Sequence, residues 1–353
     1  MIVRVKSNEI SLFIFYLVAL LAVFLLEGRI QTWHQNDFSY WFSSDGSEYY
    51  RLYEKFSNSE LSLLELLRLI TVGMPIALLM LFDGNVAPVI VFANTIFFIS
   101  LAIYGRKLNL KTSSTFLIII MMPTLFFGFI AINKEIFLIS GTLLFLSYYV
   151  SGSKRLLVLS VLVMLMSRSY MLAFYIYVMA VFPRNLTYIS YKRLMLSMIA
   201  ISMVCPLILS SGEFGTAEDL LAGSGTLAQF FGSGIRKGLY FLLYLPKYLF
   251  LIVMRMWSAY MEGLFGAYQA NLRDFLLSLY SIALICWAFI SIHRYKSYEF
   301  RFLIMGVFSP FPLMFSDIVH WRYYIFCLPF FMTYIVLRGR GAKMNINGIM
   351  LSK

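Results

Sequence analysis

Long apolar runs recur from one end of this chain to the other, and most of them end in a basic loop. That pattern constrains the fold more than any other feature. A bilayer-crossing helix needs roughly 20 mostly apolar residues, because the hydrocarbon layer is about 30 Å thick and each helical residue rises about 1.5 Å. Runs long enough are Ile10–Leu26, Ala87–Tyr104, Thr115–Ile132, Leu194–Ser210 and Phe275–His293. Shorter candidates are Ile136–Val150, Leu156–Met166, Tyr170–Phe182, Phe302–Ser316 and Tyr323–Leu337. The expected fold is all-α: a polytopic membrane protein with about ten transmembrane helices and additional interfacial helices. It is read as a single integral membrane domain over 1–353, with outer loops at 27–86 and 211–274.

Composition agrees with this. Hydrophobic residues make up 61% of the 353 positions and charged residues only 13%, about half the roughly 25% of an ordinary soluble domain. The first apolar segment has no small-residue cleavage site, so it reads as a retained anchor. Cys205, Cys286 and Cys327 lie far apart in apolar runs. They form neither a disulfide framework nor a metal-binding spacing.

The net charge of +12 resembles a nucleic-acid signal until it is mapped. Segments 1–9, 105–114, 151–155, 183–193, 294–301 and 338–353 hold 17 of the 29 Lys and Arg residues but only two acids, Glu9 and Glu299. A patch for a nucleic acid would not be spread over six loops. Basic loops collect on the cytoplasmic side of a membrane, which gives an N-in, C-in topology. Leu61–Phe82 decides the count. It is apolar but contains Glu65, Arg68 and Pro75. If it crossed, the basic loop 105–111 would fall outside, so it is read as lying along the outer surface. No internal repeat is visible, which weighs against a transporter built from inverted repeats.

Four constellations then collect on the outer side. The first follows helix one: Trp33, His34, Asp37, then Asp45-Gly46-Ser47-Glu48-Tyr49-Tyr50-Arg51. Asp45 and Glu48, three apart, share one helical face. As a carboxylate pair they suit a general base with a charge stabiliser, or leave room for a divalent cation. The same pattern is also a capping box, with Tyr49, Leu52, Tyr53 and Phe56 as the buried stripe of a short helix. The second is Asn133-Lys134-Glu135, charges between two apolar runs, where they are costly and usually functional or paired. The third is Ser167-Arg168-Ser169-Tyr170, read as a hairpin tip; Arg168 offers a planar fork for a phosphate or an ion pair with Glu135. The fourth is Asp317 to Tyr324, with His320 and Arg322 beside the interfacial aromatics Trp321, Tyr323 and Tyr324. A lone histidine such as His320 is more often a satisfied structural residue than a direct participant. Gly212–Lys237 is glycine-rich and reads as a mobile outer loop, a candidate lid.

An acidic helix start with Tyr49-Tyr50 after helix one resembles the first outer loop of the GT-C glycosyltransferase superfamily. Asn133-Lys134-Glu135 after the Pro123 helix, the Arg168–Tyr170 tip and Arg322-Tyr-Tyr before Pro329 are similar to that superfamily's bacterial members. The chain also resembles polysaccharide polymerases of the O-antigen (Wzy) and EpsG type. The Asp-Glu or Glu-Glu dipeptide of the protein-mannosyltransferase branch is absent.

The resemblance implies an enzyme of the bacterial inner membrane that acts on polyprenyl (undecaprenyl) phosphate- or diphosphate-linked glycans, with a chain-length regulator protein as a further partner. A polymerase of polysaccharide repeat units is the first expectation. A single-sugar transferase and a lipid-linked oligosaccharide flippase are the alternatives. Asp45 would be the base, with Glu48 beside it. Lys134, Glu135, Arg168, Tyr170, His320 and Arg322 would bind substrate. Trp33, Trp41, Tyr49 and Trp321 would hold sugars. A membrane acyltransferase is disfavoured, because its chemistry needs a His-Asp or buried His centre, His34 and His293 have no convincing partner, and His293 falls at the inner end.

Overall fold

The computed structural model describes residues 7–36, 46–60, 73–110, 129–167, 172–184, 190–210, 233–234, 237–246, 283, 299–309, 311 and 327–339. Among them every regular element is helical and there is no strand. The helices are α1 (Ser7–Gln35), α2 (Gly46–Ser57), α3 (Val86–Lys107), α4 (Lys134–Ser151), α5 (Lys154–Ser167), α6 (Leu172–Val181), α7 (Tyr191–Ser210), α8 (Phe300–Phe308) and α9 (Leu328–Gly339). They fall into two compact units, one of Met1–Leu172 with Leu328–Lys353, the other of Ala173–Cys327.

Two helices among the described residues are long and apolar enough to cross a membrane: Glu9–Gln35 in α1, and α3. Leu172–Val181 and Leu328–Leu337 are apolar but shorter. Of Thr115–Ile132 only 129–132 are described, and these end the run outside any helix, as turn and bend through 131 and irregular backbone after it. Within Phe302–Ser316 the described helix is Phe300–Phe308, and residues 310 and 312–316 lie outside the described residues. Phe275–His293 lies, apart from residue 283, outside the described residues.

α1 and α3 pack side by side and antiparallel, as three rungs show. Glu9 pairs with Arg106, Arg106 Nη2 donating to its carboxylate over 2.8 Å. Tyr16 and Thr95 hydroxyls meet at 2.8 Å. Val86 N–H donates to Gln31 Oε1 at 3.0 Å. The chain therefore leaves α1 and enters α3 at the same end; of Leu61–Phe82, residues 61–72 lie outside the described residues. Its described part, 73–81, is helical and stops at Gly84, whose N–H returns to Leu79 O at 2.8 Å. Gly84 has φ +78, and a Cβ there would lie 2.7 Å from the Tyr53 ring. Only glycine satisfies both conditions. Asn85 then caps α3, its Oδ1 accepting from Ala87 N–H at 3.1 Å.

α4 is the centre of this unit. It packs against α3, α5 and α9, and 16 of its 18 residues are buried. Its hydroxyls turn inward: Ser140, Thr142 and Ser147 donate to Ile136, Leu138 and Leu143 carbonyls at 2.6–2.9 Å. Gly152, at φ +76, ends α4, and the next residue but one begins α5. α9 is tied to α3 by Tyr104 O–H, which donates to Thr333 Oγ1 at 2.6 Å because that hydroxyl's proton goes to Pro329 O.

α1 is built the other way. Ile10, Phe13, Leu17, Leu21, Phe24 and Leu25 recur every three to four residues and are 46–75% exposed. Val158, Leu159, Leu162 and Leu165 do the same on α5. Soluble monomers rarely expose contiguous apolar surface of this kind; it suits contact with lipid.

In the second unit, Tyr240 and Tyr244 donate to Phe311 O and Val307 O at 3.2 and 2.6 Å, satisfying carbonyls just beyond and within α8. Tyr240 stacks on Phe311 at 4.7 Å.

Candidate functional site

The Gln35 end of the α1–α3 pair gathers polar groups. Gln31, His34 and Gln35 lie on one face of the last turns of α1, three and four apart. Gln31 Nε2 donates to Gly84 O at 3.1 Å. Gln35 Nε2 donates to Tyr50 O–H at 3.1 Å. His34 is buried between two backbone groups. Its Nδ1 lies 2.7 Å from Ile30 O, and Ile132 N–H donates to its Nε2 at 3.1 Å. A carbonyl only accepts and an amide N–H only donates, so the ring is the neutral Nδ1–H tautomer.

Residues 129–133 rise from the middle of α3 to this end without helical bonds. Phe129 packs against Phe97 and Phe98, ring centroids 5.6 and 5.7 Å away, and Asn94 Nδ2 donates to Phe129 O at 3.0 Å. Irregular backbone at membrane depth is tolerated where protein satisfies it; Asn94 and His34 do that here. The Oδ1 of Asn94 is buried with no hydrogen-bond partner among the described residues.

This irregular stretch delivers the start of α4. Asn133, at φ −143, accepts Glu135 N–H on its side chain at 2.9 Å. Lys134 and Glu135 follow, 8% and 7% exposed. A cation in the first helical turn opposes the helix dipole, whereas Glu135 suits it. Lys134 offsets this against an aromatic face, its Nζ lying 5.6 Å from the Tyr49 ring centre. Tyr49 belongs to α2, whose first residue, Gly46, sits against His34: a Cβ on Gly46 would be 3.0 Å from the imidazole Cδ2 and 3.6 Å from Ile132 O.

Two of the four constellations therefore meet. The start of α2 and the Lys134–Glu135 pair share one site, joined through His34. Glu48 stands apart: both its carboxylate oxygens accept from Arg51, at 2.9 and 2.7 Å, on the exposed face of α2. The buried stripe of α2 is also shifted from expectation. Tyr49, Tyr50 and Leu52 are buried and Phe56 is exposed, because Gln35 holds the Tyr50 hydroxyl inward. Asp45, Arg168, Tyr170, His320 and Arg322 lie outside the described residues, as do Trp41 and Trp321. Among the described residues no three His, Cys, Asp or Glu gather to hold a metal ion.

An apolar cleft of about 470 Å³ opens at the same end, between Phe56 of α2, Gly73, Ala77 and Met80 of segment 73–81, and Leu165 and Met166 of α5. Because α5 runs back along α4, its last turn lies near the first turns of α4. Leu165 also belongs to the exposed apolar stripe of α5, so the cleft is continuous with that face.

From sequence, His34 has no convincing partner. Its partners are backbone groups 4 and 98 positions away, which no residue pattern displays. The available signal was the spacing of Gln31, His34 and Gln35 at the end of an apolar run.

No family model, curated protein or solved structure matches this chain.

Proposed function

We propose that this protein is a membrane glycosyltransferase that uses polyprenyl-linked glycans at the outer face of the bacterial inner membrane, extending a polysaccharide by repeat units. It crosses about ten times, N-in and C-in. The observation that carries the reading is the buried Lys134–Glu135 pair at the start of α4, against Tyr49 and the first turn of α2. Charges buried at the end of a lipid-facing bundle are costly and mark functional sites. The cleft beside them, apolar and open toward the α5 stripe, suits the carrier's hydrocarbon chain.

In the proposed reaction Asp45, one residue before Gly46, takes the proton of the acceptor hydroxyl. That oxygen attacks the anomeric carbon of the donor sugar. The bond from that carbon to the carrier phosphate breaks, and the electron pair leaves with the phosphate oxygen. Lys134, Arg168 and Arg322 stabilise the developing charge, and Tyr49 and Trp33 offer surfaces for the sugars. Glu48 supports α2 through Arg51 in this scheme.

Asp45→Asn tests it. Asn caps a helix as well as Asp does but is no base. Surface-polysaccharide chain length, or transfer to a lipid-linked acceptor in detergent, should fall about 10²–10⁴-fold at normal protein level. Arg168→Lys keeps charge and loses the fork, so a partial defect is expected. Normal product from both variants would sink the mechanism.

A further inference from the structure

Three chain segments that carry the site meet at one side chain. His34 receives the Ile132 amide, two residues before Lys134. It returns its own proton to Ile30 in α1. Its ring is the surface on which α2 begins, since Gly46 leaves room for the imidazole and for no side chain without displacement. Around it stand Lys134 and Glu135 from α4, Tyr50 from α2, and the exposed Glu48–Arg51 pair beyond.

We propose that His34 is the positioning residue of this site: as a neutral imidazole bolting the lead-in of α4 to the last turn of α1, it sets the spacing between the α2 start and the Lys134–Glu135 pair. The reason is physical. Residues 129–133 have no helical ladder to fix them, so a buried hydrogen bond near their end decides where α4 starts. Without it Ile132 N–H is a buried donor with nothing to bond, and the stretch must shift to find one. A histidine suits the task because it offers a donor and an acceptor on opposite sides of a rigid ring. The chemical part of the proposal rests on the glycosyl-transfer reading; the structural part does not.

Two substitutions separate hydrogen bonding from bulk. His34→Phe keeps a ring and loses both bonds. His34→Gln keeps a donor and an acceptor and loses the ring. Hydrogen–deuterium exchange on the full chain in nanodiscs reads the bolt directly. In His34→Phe, exchange should rise about tenfold in 129–135 and in 46–52, the worth of one buried hydrogen bond, with α5 unchanged. In His34→Gln both segments should stay protected. Turnover should fall about 10²-fold in His34→Phe with KM within about twofold, as for a misplacement of about 1 Å, and recover in His34→Gln. Equal protection in all three proteins, or equal exposure in both variants, would overturn the proposal. Should His34→Phe fail to accumulate, His34→Gln decides alone: an open 129–135 segment in it overturns the assignment. A parent that transfers no sugar while exchange follows His34 would remove the glycosyltransferase reading and leave the bolt standing. An active parent whose exchange ignores His34 would do the reverse.

Discussion

α4 and α1 are similarly apolar in sequence yet occupy opposite environments. α4 is buried on nearly every side, and its polar side chains bond back to its own carbonyls. α1 turns Phe, Leu and Ile outward along its length and keeps its hydrogen-bonding side chains mainly for its last turns. In water the exposed helix would be the polar one. In a bilayer lipid is as apolar as leucine, so hydropathy does not sort inside from outside. What sorts them is residue size and the placement of polar atoms. Ser140, Gly141, Thr142 and Ser147 let neighbours approach α4 closely; α1 has bulk on its outer face.

The comparison breaks most visibly if both helices answer alike to a lost side chain. Leu143 is fully buried in α4 and Leu17 is 46% exposed on α1. Leu143→Ala should cost about 2–5 kcal/mol, because the cavity stays empty. Leu17→Ala should cost within about 0.5 kcal/mol, because lipid fills the space. Unfolding in mixed micelles measures both, and equal losses would mean that the α1 stripe faces protein.

A smaller effect is expected at the turn where the chain enters α3 beside the end of α1. Gly84→Ala meets both an adverse φ and the Tyr53 ring. It should cost about 1–2 kcal/mol for the backbone alone, read as a lower unfolding midpoint. An unchanged midpoint would contradict the turn that returns the chain to the Gln35 end.

The smallest effect concerns the opposite end. Glu9 and Arg106 are 14% and 54% exposed, so Arg106→Ala should lose at most about 1 kcal/mol. The charge swap Glu9→Arg with Arg106→Glu should restore it, which an end-to-end mismatch of α1 and α3 would prevent. A cysteine at Asn109, three residues beyond Arg106, should react only with a cytoplasm-permeant reagent. Labelling from outside would invert the proposed orientation.

How far the sequence led can be judged residue by residue. The apolar runs located α3, α4 and α7 to within a few residues, since helical apolar runs of that length have few alternatives, whereas α1 runs nine residues past its apolar run, to Gln35. For Leu61–Phe82 the charge pattern of Glu65, Arg68 and the basic loop at 105–111 argues against a crossing, and of this stretch residues 61–72 lie outside the described residues. Lys134 and Glu135 were legible because charge between apolar runs is conspicuous. The Glu48–Arg51 bridge was not legible, because a carboxylate three residues from another reads as a pair and residue spacing does not display that Arg51 reaches it. The break at 129–133 was illegible. It depends on Asn94 and His34 satisfying distant backbone groups, and hydropathy continues smoothly through it.

The two-residue link of Gly152 and Ser153 has a consequence for biosynthesis. α4 is 18 residues and α5 is 14, about 27 and 21 Å at 1.5 Å per residue. Alone, α5 falls short of a hydrocarbon layer of about 30 Å. Closed so tightly onto α4, it has no independent route: the ribosome delivers α4 first, and α5 follows within two residues. In the proposed N-in topology the pair would enter the bilayer as one wedge, with the basic residues Lys154 and Arg155 staying at the face where synthesis takes place. Lengthening that link would let α4 settle before its partner arrives, leaving its serine and threonine side to sort among lipids during the interval. The shortness of the turn thus sets the order of assembly as well as the geometry of the finished bundle.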